Sequence, residues 1–312
     1  MKILYLDCFS GISGDMFLAA LIDAGADVSY IKQELGKLNL SGFELQTKNV
    51  VKNGITSVKA DVVVTEAAAH THHRHYTDIV QLIEQANLAP DVTATALDIF
   101  LRIGKAEGKI HGIPLEKVHF HEVGAVDSIV DTVGAALALH SLQVDRVLSS
   151  PIPMGSGFVR CDHGLYPVPA PAALEIMKGL PLAHSVHKAE LTTPTGAGIA
   201  ASLVHDWMEA MPHMKVTAIG YGAGTRDLPQ QPNALRSVIG DTTAANLELA
   251  IQREQNRHQQ NHAHHHAHDH EHHHHSHNHS DDHAHHHHDH THDGEHSHHH
   301  HHDHGHDHNE HP

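Results

Sequence analysis

The densest chemistry in this sequence is imidazole. Residues 70–75 read His-Thr-His-His-Arg-His, so His70, His72, His73 and His75 place four rings within six residues. A loop of that composition can bend around one divalent ion, and imidazole suits nickel, copper and zinc. The competing reading is a plain solvated loop. A second group, His119-Phe120-His121-Glu122, has imidazoles two residues apart. If residues 118–122 are extended, the strand period of two puts His119 and His121 on one face, with Glu122 beside them. Asp127 and Asp131 follow, four apart. On a helix they share a face, where they could ligate metal or orient a ligating histidine. Hydrogen-bonded histidines and a solvated acidic helix face are the bland alternative.

A third group favours close backbone approach. Ser10-Gly11-Ile12-Ser13-Gly14-Asp15 links a short apolar run to an apolar-periodic stretch. Such a strand, glycine turn and helix start can hold a phosphate on its N–H groups. A tight turn capped by Asp15 explains the same residues without a ligand. Asp7, at the end of the apolar run, projects beside the turn. Gly155 and Gly157 open a fourth group that continues through Cys161 and His163 to Pro167, Pro169 and Pro171, with Thr192-Thr193-Pro194-Thr195-Gly196 later. Glycine again admits a ligand, and Cys161 and His163 offer soft and borderline donors. Rigid turns and a buried small thiol are the alternatives.

The elements needed to position these groups can be read from periodicity. Ile3–Leu6 reads as a buried strand and Met16–Ala24 as a helix, with a second helix over 28–38. Phe43–Val51 and Ile55–Thr65 alternate around Asn53-Gly54, a hairpin signal. Tyr76–Ala86, Val92–Lys105, Val126–Leu142, Pro169–Met177 and Thr195–Trp207 read as helices; Arg146–Ser149, Val216–Ile219 and Leu235–Ile239 read as strands, the last two flanking Gly220-Tyr221-Gly222-Ala223-Gly224. Without a regular βαβ repeat, the fold class is α+β, a mixed sheet with several helices.

Beyond this body the composition changes. Between His262 and His311 lie 29 of the 43 histidines, with ten Asp or Glu, no Lys or Arg and no large apolar residue. Such a segment cannot bury a core, so a disordered metal reservoir is expected. Its densest ligand runs include His264, His265 and His266, and His272, His273, His274 and His275. The expected organisation is a folded body over 1–240, a helical connector over 241–261 and a tail over 262–312.

Charge narrows the partners. Twenty Lys plus Arg against 37 Asp plus Glu give a formal charge of −17 with histidine neutral. No basic stripe is present, which argues against nucleic acid and an anionic membrane surface. Met1–Phe9 is too short and interrupted for a signal peptide or spanning helix, so a cytoplasmic protein is expected. Cys8 and Cys161 lack a Cys-x-x-Cys partner, and reduced thiols follow.

Five ordered strings, LDCFSGISGDM (6–16), HFHEVGAVDSIVD (119–131), GSGFVRCDHGLYPVPAPA (155–172), TPTGAG (193–198) and GYGAGTRD (220–227), resemble the LarC family of nickel insertion proteins. The resemblance implies insertion of Ni²⁺ into pyridinium-3,5-bisthiocarboxylic acid mononucleotide. One carbon–nickel and two sulfur–nickel bonds form, giving the nickel-pincer cofactor of lactate racemase-type enzymes. It also implies a lyase-class, CTP-dependent chelatase that uses Mn²⁺ or Mg²⁺. Family members continue past the His-rich segment into a domain for CTP and its metal, so a separate carboxy-terminal subunit is an expected partner. A cofactor-sulfurating enzyme, the lactate racemase apoprotein and a second copy of the chain are further candidates.

Two other functions compete. A nickel or zinc storage buffer would need only the tail, and the clusters within residues 1–240 exceed that need. A metal-dependent hydrolase could ligate through His119 and His121, but the eightfold strand–helix series of its barrel is not legible.

Overall fold

The computed structural model describes residues 1–65, 74–120, 123–161 and 163–267. Two compact units are distinguished, Met1–His264 and His265–Pro312, and the architecture below is that of the first. His70, His72, His73, His121, Glu122, His272, His273, His274 and His275 lie outside the described residues.

The apolar run Lys2–Asp7 forms β1, its four inner positions buried. After the glycine turn comes α1 (Gly14–Asp23), then α2 (Val28–Leu35), where the Asp27 carboxylate accepts hydrogen bonds from the N–H groups of Ser29 and Tyr30. Strands β2 (Phe43–Lys52) and β3 (Ile55–Val64) close on Asn53 and Gly54, at φ 43° and 84°, the left-handed pair that a tight hairpin requires. The chain continues through β4 (Arg74–His75), α3 (Tyr76–Gln85), α4 (Pro90–His111), β5 (His119–Phe120), α5 (Val126–Leu142), β6 (Arg146–Ser149) and β7 (Ile152–Pro153). A separate hairpin of β8 (Gly157–Cys161) and β9 (Gly164–Val168) follows, then α6 (Pro171–Ile176), β10 (Leu182–Ala183), α7 (Pro194–Leu203), β11 (Asp206–Trp207), β12 (Lys215–Ala223), β13 (Ala234–Asp241) and α8 (Ala244–Ala267).

Seven strands form the main sheet in the order β11-β6-β1-β13-β12-β3-β2. Pairing is parallel for β11/β6, β6/β1 and β12/β3 and antiparallel for the rest, so the sheet is mixed and the fold α+β. This open sheet is not the closed parallel barrel that a hydrolase reading would need. Among the described residues no helix is long and apolar enough to cross a membrane.

Helix α1 is buried at seven of its ten residues, lying between the sheet and the α4, α5 and α7 layer. Its approach to the sheet is unusually close. A Cβ on Gly222 would stand 1.9 Å from Met16 O, and one on Gly220 2.1 Å from Ala20 O. These glycines belong to β12 itself, whereas the sequence placed them in a loop between strands. Similarly, the helix expected over Thr195–Trp207 stops at Leu203, and Asp206–Trp207 joins the sheet edge as β11. Glycine and proline were read as punctuation, but here the missing side chains let helix and strand backbones touch.

Candidate functional site

The glycine segments work first as backbone docking points. Gly11, at φ +83°, lies against residue 191: its missing Cβ would be 2.1 Å from Leu191 O. Ile12 N–H donates to Leu191 O at 3.1 Å and Thr193 N–H to Ile12 O at 3.2 Å. Gly155, also at φ +83°, lies against Ala189 O in the same way, while Gly157 passes Lys188 at ordinary contact distance. Together they fix residues 188–193 across the glycine turn. Gly14 brings α1 onto α5, its absent Cβ 2.9 Å from Asp131 Cβ.

The result is a polar cleft of about 350 Å³ at which three helices begin. Ser13, Gly14 and Asp15 come from α1, Asp127, Ser128 and Asp131 from α5, and Thr193, Pro194 and Thr195 from α7; Lys59 and Asp61 of β3 and Glu190 complete the walls. Helix N-termini carry unpaired N–H groups and partial positive charge, which favour anions. A smaller polar space adjoins, sharing Ser13, Asp15, Glu190, Thr193 and Thr225 and adding Arg226 and Asn233.

Charge in the cleft is unevenly matched, with five carboxylates facing one lysine. Lys59 Nζ lies 2.6 Å from Asp15 Oδ2 and 3.2 Å from Asp61 Oδ1. Burial alone would lower the Lys59 pKa, but Asp15 and Asp61 outweigh it and raise it above the ordinary lysine value. The hydrogen bond from Lys48, acting against burial and aided by Lys59, holds Asp61 below the usual carboxylate range. Asp15 also accepts from the Ser13 hydroxyl. Asp131 is the exception. Its Oδ1 is buried without a hydrogen-bond partner. Burial first, then the Asp15 and Asp127 carboxylates, push its pKa well above the ordinary value, with Lys59 opposing. Lys59 and Asp61 were missed in the sequence; the only signal was a Lys-Ala-Asp interruption in an apolar strand.

Two of the sequence-selected histidines, His75 and His119, meet. β4 and β5 pair antiparallel with His75 opposite His119, and the rings stack with centroids 4.7 Å apart. Arg74 Nη1 donates to Gly124 O at 2.8 Å, tying this ladder to the lead-in of α5. Cys161 and His163 instead line a neighbouring pocket of about 80 Å³, together with Glu107, His111, Phe120 and Tyr166. Val123, Glu190 and Pro194 border both pocket and cleft. Asp7 lies elsewhere, paired with Arg236 directly across from it on β13. His264, His265 and His266 fall within the span of α8. Among the described residues, no three His, Cys, Asp or Glu side chains are already gathered as a metal site.

Imidazole and carboxylate donors in and around a polar cleft framed by three helix starts are the ligand types of proteins that handle a borderline divalent cation. The family model described as nickel insertion protein matches residues 4–262, and the chain belongs to that family. It is 56% identical over 250 residues to the pyridinium-3,5-bisthiocarboxylic acid mononucleotide nickel insertion protein of Geobacillus kaustophilus, covering 78% of this chain and 61% of that protein. A protein of the same name from Desulfitobacterium hafniense strain DCB-2 is 47% identical over 241 residues, covering 77% and 59% respectively. A putative nickel insertion protein of Citrifermentans bemidjiense is 47% identical, covering 78% and 63%. The chain thus spans about three fifths of the length of these relatives. No solved structure matches it significantly.

Proposed function

We propose that this chain binds Ni²⁺ in the cytoplasm and presents it to pyridinium-3,5-bisthiocarboxylic acid mononucleotide, as its relatives' names describe for them. The observation that carries the reading is the His75–His119 pairing, which joins one described residue of each histidine-bearing segment, held to the lead-in of α5 through Arg74. The mononucleotide's phosphate would face the three helix starts, with Lys59, Ser128 and Thr195 in reach of its oxygens. His75, His119 and His121, with Glu122, would deliver the metal. Forming the carbon–nickel bond displaces a ring proton, and the cleft carboxylates supply bases for it. CTP and its Mn²⁺ or Mg²⁺ belong, in this reading, to a carboxy-terminal portion or subunit corresponding to the relatives' remaining length.

The test supplies the chain with such a portion from a relative, with nickel, CTP and the thiolated mononucleotide, and detects the nickel-bearing product by mass spectrometry. His119→Ala combined with His121→Ala should abolish product while sparing most bulk nickel binding, because the 29 tail imidazoles remain. Undiminished product from a folded double variant would refute the delivery role.

A further inference from the structure

We propose a second nickel site, distinct from the His75–His119 pair, in which His111, His163 and Cys161 are the donors. His111 is the last residue of the 22-residue α4, at a helix end whose carbonyls favour a cation. Its ring lies 4.8 Å, centroid to centroid, from that of His163. Glu107, one turn earlier, places Oε2 3.3 Å from His111 Nε2. An Nε2–H facing that carboxylate would leave the Nδ1 lone pair for a metal, the carboxylate–histidine–metal arrangement.

The third donor comes from the facing hairpin. Cys161 ends β8, opposite Gly164 in the register, and lines the same pocket as both imidazoles. Ile110, Phe120, Val159 and Ala170 supply apolar walls. Two imidazoles and a thiolate select a soft or borderline divalent ion such as nickel over magnesium or calcium. On binding, the Cys161 proton passes to solvent, and the metal draws the thiol onto the imidazole pair, since the donors are not already converged. Glu190, Val123 and Pro194 stand between this pocket and the cleft, so an ion held here is one wall from the proposed ligand space. The inference rests on nickel as the chain's cargo, but it is read out by binding and not by cofactor formation.

Sulfur makes the site visible in the full chain. The His-rich segment contains no Cys or Met. The only other thiol, Cys8, is fully buried, hydrogen-bonds to Ser149, and is pushed by burial up to about 12. Titrating the reduced, metal-free chain with Ni²⁺ past the capacity of its histidines should therefore develop a sulfur-to-nickel charge-transfer band that reports Cys161 alone. We expect Cys161→Ser to lose the band. Glu107→Gln should raise the nickel midpoint of the band about tenfold, and His111→Gln and His163→Gln by at least as much. His119→Ala with His121→Ala should keep it. Absence of the band in the unaltered chain, its survival in Cys161→Ser, or an unchanged midpoint in folded His111→Gln would overturn the proposal. Should His111→Gln misfold, Glu107→Gln decides in the same way.

Discussion

Asp131 carries a stability cost that a single atom change can measure. Its Oδ1 is buried without a partner at the point where α5 meets α1, and the nearby carboxylates of Asp15 and Asp127 oppose its ionisation. Asp131→Asn preserves the shape and removes the charge. Asparagine keeps a polar atom at the same buried position, so what the variant gains is the lost charge: it should be more stable at pH 8 by about 1.4 kcal/mol for each pH unit by which the folded carboxyl's pKa exceeds the unfolded one. For a body of this size each kcal/mol moves the melting temperature by about 2–4 °C. The pH dependence has a definite sign. A carboxyl raised in the folded state holds its proton after the unfolded chain has lost it, so its contribution is fully present below the ordinary value of 3.8 and is lost as pH rises through the raised value. The advantage of asparagine should therefore be small near pH 4 and grow toward pH 8. Urea unfolding of both proteins at several pH values is the assay. A variant no more stable at pH 8, or a gain identical at both ends, would refute the account. Loss of cofactor formation in the stabilised variant would mark the cost as one kept for function.

Three further outcomes follow from other parts of the molecule. Gly222→Ala places a methyl 1.9 Å from Met16 O and 2.5 Å from Ala20 N, backbone atoms that cannot turn aside, and should cost about 3 kcal/mol or more in the urea midpoint. Truncation after Asn261 removes 29 imidazoles and should lower the nickel equivalents bound in calorimetry several-fold while leaving the metal-free melting temperature unchanged. Nickel on the full chain should be released as pH falls through about 6.5, where imidazole takes up protons.

What the sequence disclosed follows the range of the forces involved. Local patterns located the elements: Val126–Leu142 and Arg146–Ser149 have the expected bounds, and Asn53-Gly54 closes its hairpin. Strand order was not legible, because pairing β1 with β13 joins residues more than two hundred positions apart. A separation of 44 positions (119 − 75) likewise hid the meeting of His75 with His119, although each residue stood out separately. Glycine was the least readable residue. Gly11 and Gly155 suggested room for a ligand, and Gly220 and Gly222 a loop between strands, yet at each the space a side chain would take is filled by protein backbone. Lys59 could not be placed from sequence, since only the fold brings Asp15 beside it.

The position of β1 has a consequence for how the protein is made. Residues 2–7 form a central strand whose antiparallel partner is residues 236–241. At about 5–20 residues per second, a ribosome needs roughly 10–50 s to reach that partner. Until then the sheet is open along the edge of its first strand, whose four inner residues are destined for burial, an invitation to mispair. The nascent chain is therefore most dependent on chaperones in the interval before β13 emerges. The histidines that follow are translated while the sheet closes, so metal captured by them would arrive only after the body that must receive it has formed.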